Sequence, residues 1–471
     1  MRRGRRFSGA DGPVRSKQDV CDWKATPATS KEFLKAGKYL HGKKRFQDSI
    51  YAGVGYFKSL AALSNRAGRI YMKLIQFGAG NIGRSFIGAL FSRADWEVVF
   101  VDAVYPLVSL LNEKRFYTVI IKREGREDEK RIVGPVRAVF AGDADAVAFE
   151  IADCDLLATS VGKDSLPKIM PLIAAGLRAR QAKCSRPLDI IIAENVRDVK
   201  DIFLKGIRAS LADNDFPLED ILGLAETSIG KMVPLSKKED LAQDPLRLFA
   251  EEYETLIVDK KAFHGGPPSI PGLKPVEHIL AWVDRKLFIH NLGHAAAAYF
   301  GFYASDRVKT ISEALSLPGV ADAVHLAMNA SADALSLEYS ESYARKELSQ
   351  HIEDLILRFG NCALGDTVFR VGRDLRRKLS ENDRIVGAML LCARRGVDFT
   401  AIARVYRAAL SWKAADADGN LFSADEDFHN TLMAGKSVQE ALESPAFMAE
   451  LSGLDESTAE KKKVLAVLRN L

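Results

Sequence analysis

The stretch Lys73-Leu74-Ile75-Gln76-Phe77-Gly78-Ala79-Gly80-Asn81-Ile82-Gly83-Arg84 reads as a short apolar strand that runs into a glycine-rich turn and then a helix. Gly78 permits a tight turn, Gly80 lets the backbone come close to a pyrophosphate, and Gly83 lets the helix pack against the strand. The helix, read over Ile82 to about Ser92, offers the N–H groups of its first turn to phosphate. Glu97-Val98-Val99-Phe100-Val101 is the next strand, and it ends at Asp102, 19 positions beyond Gly83. A carboxylate there can accept hydrogen bonds from an adenosine ribose and repels a 2′-phosphate, which favours NAD over NADP. The competing reading is a plain glycine turn with a solvated Asp102. Strand, turn, helix and acid in the order of a βαβ unit weigh against it.

Two further apolar runs, Asp155–Ser160 and Asp189–Ala193, read as strands of the same sheet. Their ends, Ser160-Val161-Gly162 and Glu194-Asn195, are small or polar. In a parallel sheet such carboxyl ends line the ligand crevice, so Ser160, Val161 and Gly162 join the residues from Phe77 to Arg84 and Asp102 as expected cofactor contacts. Asn195 is a candidate for the floor of the active site; an amide making a turn at a strand end is the alternative.

From about Val276 the character changes. His278–Asn291, Ala295–Phe302, Val308–Leu315, Gly319–Leu335, Ser340–Phe359 and Asp383–Ala393 carry apolar residues at spacings of three and four, and strand signals nearly vanish. The fold class predicted is α/β: a Rossmann-type doubly wound domain over residues 72–275, then an all-α domain over 276–471. The cleft between two such domains is the default substrate site.

The 471 residues are too many for one ordinary core. Cys21, Cys154, Cys184, Cys362 and Cys392 are scattered, with no CxxC pair, which fits a reducing, cytoplasmic setting better than a disulfide framework or a zinc ribbon. No uninterrupted apolar run is long enough to cross a membrane. Residues 1–71 hold 16 Lys and Arg against 5 Asp and Glu, leaving 51 against 57 in the remainder. The basic excess therefore sits in the leader, and the body gives no electrostatic case for nucleic acid. This leader is expected to be weakly ordered. It reads first as a dispensable or translated upstream extension, with a targeting segment or a partner-binding arm as alternatives.

The run Lys286-Leu-Phe-Ile-His290-Asn291-Leu-Gly-His294 can supply a base, an oxyanion donor and a ligand for a substrate hydroxyl. A lone helical lysine is ordinarily a solvated cation. His290 and His294, four apart, could share a helix face as metal ligands do, but no HExxH pattern or nearby acid completes a site, and no metal is expected.

From Met72 to about Leu454 the chain resembles the polyol-specific long-chain dehydrogenases. The resemblance rests on Phe77–Arg84, Ile191–Asn195, Ile257-Val-Asp-Lys260, Ile270-Pro-Gly272, Arg285–His294 and Arg370–Ser380. Asn81–Arg84 and Arg373–Ser380 point to its sugar-phosphate branch. The resemblance implies zinc-independent, NAD-linked interconversion of D-mannitol 1-phosphate and D-fructose 6-phosphate. It further implies Lys286 as general acid/base, Asn291 and Asn195 as donors to the developing alkoxide, and His294 as ligand of a substrate hydroxyl. Related proteins are often monomers, so a monomer or weak oligomer is expected.

Arg370, Arg373, Arg376, Arg377 and Lys378 form the densest basic cluster of the body. Guanidinium groups match phosphate oxygens bidentately, so Arg370, Arg373 and Lys378 are candidate phosphate ligands. Such runs also coat solvated helices, and at least one of Arg376 and Arg377 is expected to face water. At Gly230-Lys231 the family usually has Asp-Arg, a departure that bears on the polyol phosphate taken more than on the reaction class. Free mannitol or a hexuronate as substrate, and a catalytically idle NAD-binding regulator, are the competing functions.

Overall fold

The computed structural model describes residues 71–184, 186–196, 198–211, 215–234 and 238–471; the expected leader lies outside them except for Tyr71. The strands are β1 (Lys73–Phe77), β2 (Glu97–Asp102), β3 (Tyr117–Ile121), β4 (Glu129–Val133), β5 (Val136–Phe140) and β6 (Leu156–Thr159), then β7 (Leu188–Ile192), β8 (Leu222–Ile229), β9 (Leu248–Ala250), β10 (Leu256–Asp259) and β11 (Leu273–Val276). Eight of them form one sheet in the order β11-β10-β8-β7-β6-β1-β2-β5. From β5 to β8 all neighbours are parallel, whereas β10 is antiparallel to β8 and carries β11 parallel to itself.

Both faces of this sheet are covered. Leu74, Phe100 and Ile191 belong to the apolar cluster on one side, and Ile75, Phe77, Val99 and Ile190 to that on the other. A sheet buried on both faces needs continuous apolar strands rather than alternating ones, and that is how β1, β2 and β7 read. The chain winds outward from β1 in both directions, to β2 and to β6. The crevice at the carboxyl ends of β1 and β6 is therefore the topological switch point, where ligands bind in open α/β sheets.

Strands end with β11, and helices follow. The helices expected over His278–Asn291 and Ala295–Phe302 are one rod: α-helix Ile279–Arg285, a π-helical segment Lys286–Asn291, and α-helix Leu292–Ala304. Gly293 does not break it. A Cβ at that position would stand 2.4 Å from Met328 Sδ, so the glycine lets helix Val320–Glu338 approach. Helices Ile311–Ser316, Arg345–Gly360 and Val386–Arg395 complete the part of the bundle that concerns the site. Ser228 Oγ donates to the Trp282 carbonyl (2.8 Å), tying β8 to the start of the rod. No helix among the described residues is long and apolar enough to cross a membrane.

Candidate active site

The glycine turn has the strain and the space its sequence demands. Gly78 has φ +89°, and a Cβ there would meet the Ser160 carbonyl at 2.5 Å. A Cβ on Gly83 would lie 2.0 Å from the Gly78 carbonyl oxygen, so helix and turn touch backbone to backbone. Gly80 faces open space, with no atom within 4 Å of where its Cβ would be. Two of the three glycines are thus required by the protein's own packing; at the third, the packing of the described residues leaves room for a side chain. Asp102 accepts from the Ala79 N–H (2.7 Å) and from the Val104 N–H (2.8 Å), which sets its carboxylate beside the turn.

The side chains of Phe77 and Arg84, expected to contact the cofactor, turn into the core. Arg84 donates to the carbonyls of Ala79 (2.6 Å) and Leu246 (2.9 Å), so what it gives the turn is support. The helix after the turn spans residues 81–93 and includes a π-helical stretch, Gly83–Gly88. Ser160, Val161 and Gly162 close the other wall of the crevice. The N–H groups of Val161 and Gly162 are both taken by the Glu194 carboxylate, at 2.8 and 2.9 Å. Glu194 therefore shapes this loop, a role its place in the strand-end pair Glu194-Asn195 only hinted at.

Lys286 comes to the carboxyl end of β7. Its Nζ donates to Asn195 Oδ1 at 3.1 Å, joining the helical half to the Rossmann-type half. Burial, reinforced by the Arg384 guanidinium, brings its pKa down from the ordinary lysine value to about 8. The π segment explains the spacing of the run. Residues five apart in an α-helix diverge by about 140° around the axis. Hydrogen bonding from i to i+5 narrows that divergence and brings Lys286 and Asn291, the two ends of the segment, toward one face of the rod.

His294 is one turn further on, 14% exposed, with Nε2 at 3.0 Å from Asp366 Oδ2. Its ring stacks on Phe359, centroids 4.7 Å apart and planes 5° from parallel. Asp366 is 72 residues away in sequence and went unnoticed there. His290 is buried edge-on against Phe359 and His294, and burial holds its pKa well below the imidazole value. Among the described residues no three His, Cys, Asp or Glu side chains are grouped as metal ligands.

The basic run divides. Arg370, expected at the phosphate, is occupied: its Nε donates to Asp366 Oδ1 at 2.7 Å. Arg376 reaches Asp427 (3.3 Å), and the exposed Arg377 pairs with Asp374 and Asp383. Arg373 and Lys378 have no carboxylate within ion-pair distance among the described residues. Arg373 lies over the rings of Phe422 (5.3 Å) and Phe369 (5.8 Å). Lys378 is buried, donates to the Arg373 carbonyl, and is brought down to about 7 by burial and by the cations Arg384 and Arg377. Arg384, also missed from sequence, thus acts on both Lys286 and Lys378. The helix that follows it, Val386–Arg395, is brought close by Gly387, where a Cβ would stand 2.7 Å from Phe288.

The departure at Gly230-Lys231 opens a small space. A Cβ on Gly230 would meet His290 Nδ1 at 3.6 Å and Tyr253 at 3.7 Å, ordinary contacts. Arg358 bonds the Gly230 carbonyl (2.5 Å) and pairs with Glu251 (2.6 Å), while Lys231 donates to the carbonyls of Glu251 (2.8 Å) and Tyr253 (2.6 Å).

Residues 72–272 match the profile of the mannitol dehydrogenase Rossmann domain, and residues 278–467 that of the mannitol dehydrogenase C-terminal domain. The chain belongs to the mannitol dehydrogenase family. It is a dehydrogenase, with a mostly parallel Rossmann-type sheet followed by a helical part. It is 37% identical over 318 residues to mannitol-1-phosphate 5-dehydrogenase of Bacillus subtilis strain 168, covering 67% of this chain and 82% of that one. The corresponding enzyme of Paenarthrobacter aurescens strain TC1 is 35% identical over 350 residues, covering 74% and 88%. In fold, the family member resembles substrate-free D-sorbitol dehydrogenase, with TM-score 0.67, 16% identity, and coverage of 85% of this chain and 93% of that one. It also resembles Pseudomonas fluorescens mannitol 2-dehydrogenase, solved with NAD and D-mannitol, with TM-score 0.64, 14% identity, and coverage of 86% and 91%.

Proposed function

We propose that this dehydrogenase interconverts D-mannitol 1-phosphate and D-fructose 6-phosphate with NAD, using Lys286 as the acid/base. The observation that carries this reading is the 3.1 Å contact between Lys286 Nζ and Asn195 Oδ1 at the carboxyl end of β7. It brings an amine with a pKa of about 8 to the carboxyl end of the sheet, the same end at which β1 runs into the glycine turn. The names of the curated relatives support the sugar-phosphate substrate.

The turn fits a dinucleotide. Gly80 leaves room for a pyrophosphate, the following helix turns its N-terminus toward it, and Asp102 sits where an adenosine ribose would be held. Bound NAD supplies the hydride acceptor. Neutral Lys286 takes the hydroxyl proton as the carbon–hydrogen bond gives up its hydride. In the reverse direction the ammonium returns that proton to the carbonyl oxygen. With Asn195 Oδ1 facing the lysine, its amide N–H groups remain to donate to the developing alkoxide, together with Asn291. Each such donor is commonly worth roughly 3–4 kcal/mol in the transition state. His294 holds a neighbouring hydroxyl. Arg373 and Lys378, the two cations of the basic run without a carboxylate partner, take the phosphate, with Arg384 beside them.

An NADH-oxidation panel tests this. Fructose 6-phosphate is expected to be reduced with a kcat/KM far above that of fructose or fructuronate. Equal turnover of fructose and its 6-phosphate, or NADH binding without any turnover, would contradict the assignment.

A further inference from the structure

His294 is unusual among the site residues in how firmly its surroundings are set. Its ring lies flat on Phe359, which belongs to helix Arg345–Gly360. Its Nε2 edge meets Asp366, whose carboxylate is 11% exposed and also takes the Arg370 guanidinium. The Asp366 backbone is pinned in turn. Its carbonyl accepts from the Ile311 N–H (2.9 Å), and two residues on, the Val368 N–H donates to the Lys309 carbonyl (2.9 Å). Three elements of the bundle thus converge on one imidazole, which itself stands on the same rod as Lys286.

We propose that Asp366 is a positioning residue for the reaction, fixing the ring orientation and tautomer of His294 so that Nδ1 is the nitrogen presented to a substrate hydroxyl. This rests on the reading of His294 as a hydroxyl ligand. A carboxylate can only accept, so the imidazole nitrogen facing it carries the hydrogen, and in the neutral ring the other nitrogen is then an acceptor. Nε2 is the nitrogen that faces Asp366. Nδ1 therefore accepts from a substrate hydroxyl and discriminates against a group that can only accept. The 3.0 Å approach of Nε2 to Oδ2 is close but bent away from ideal hydrogen-bond alignment. Such bonds at active sites often tighten only when substrate is bound. Arg370 helps to keep the carboxylate charged. Burial alone would push the Asp366 carboxyl up, but the His294 ring and the Arg370 guanidinium hold it below the usual carboxylate range. This gives Arg370 a part in orienting His294, through Asp366, rather than in holding phosphate.

The first test reads the tautomer in the unmodified chain. Long-range proton–nitrogen NMR on the full chain labelled at histidine, with the His294 signal assigned by its loss in His294→Gln, is expected to show hydrogen on Nε2 and none on Nδ1. Hydrogen on Nδ1 in the unmodified chain would overturn the proposal. In Asp366→Asn the amide can donate to Nε2, and the tautomer is expected to invert. An unchanged tautomer would also overturn it. Kinetically, Asp366→Asn is expected to lower kcat/KM for fructose 6-phosphate by about ten- to a hundredfold, mainly through KM, as loss of a supporting partner of a functional histidine commonly does. NADH affinity and Tm should stay near those of the unmodified chain. The double variant with His294→Gln should be no worse than His294→Gln alone. A fall in Tm with KM and tautomer unchanged would make Asp366 merely structural and sink the idea. If the unmodified chain oxidises no NADH with fructose 6-phosphate, the substrate reading fails, while the NMR measurement still decides the role of Asp366.

Discussion

Lys286 Nζ stands 3.1 Å from Asn195 Oδ1, a hydrogen bond that joins the helical rod to the end of β7, where the chemistry is proposed. It carries a consequence for pH. With a pKa of about 8, Lys286 is neutral above that value and charged below it. Alcohol oxidation needs the neutral amine, so its kcat/KM should rise as pH increases through about 8 and then level. Ketone reduction needs the ammonium and should fall over the same range. Because Arg384 helps depress the value, Arg384→Met should move both midpoints upward. A pH–rate profile in each direction checks this, and midpoints unmoved by the substitution would remove Arg384 from the account.

Arg373, with no carboxylate partner among the described residues, gives a selective prediction. A charge-assisted hydrogen bond contributes about 1.5–3 kcal/mol, or roughly 10- to 150-fold. Arg373→Ala should raise KM for fructose 6-phosphate by that order and leave KM for free fructose nearly unchanged. Parallel losses on both would mean that Arg373 holds no phosphate.

Lys378 should trade stability against function. Its folded pKa of about 7 lies below the unfolded lysine value of about 10.4. The unfolded chain then binds the extra proton across that window, so stability rises with pH between the two values, and the charged form costs most below about 7. Lys378→Met should therefore raise Tm at pH 6, with the advantage shrinking toward pH 10, while raising KM for the sugar phosphate. Thermal unfolding at several pH values, set beside the assay, tests both; a lower Tm at pH 6 would contradict the sign.

The glycines of the turn should separate in their effects. Gly83→Ala forces a Cβ to 2.0 Å from a backbone oxygen and should lower Tm sharply. Gly80→Ala meets no protein atom, so Tm should hardly move, whereas NADH affinity should drop. Calorimetry and NADH fluorescence titration distinguish the two. A Gly80→Ala protein that binds NADH normally would remove the pyrophosphate from that space.

These contrasts mark what was legible in the chain. The β1–turn–helix–β2 order was readable because each glycine answers a local backbone constraint, and the buried strands were readable as apolar runs. The helical half was readable from its period, but the continuous rod through Gly293 was not, since the contact that tolerates that glycine comes from distant Met328. The hairpin of β3 and β4, strand β8 and the short strands β9 to β11 gave weak signals because their pairing is set across the fold. At the site, Lys286, Asn291 and His294 were visible as one run, yet the π-helical turn that brings the first two toward one face leaves no mark in hydrophobic periodicity. Asp366, Arg384 and Glu194 act through contacts between separate elements. Arg370 looked like its neighbours in the basic run until Asp366 was seen to occupy it.

The most direct test of the central claim is single-turnover NADH oxidation by Lys286→Ala with saturating fructose 6-phosphate, with NADH affinity measured in parallel. The account predicts unaltered NADH binding and a rate lowered by about 10²–10⁴-fold, the usual contribution of a general acid/base. A rate close to that of the unmodified chain would show that the proton moves through another group.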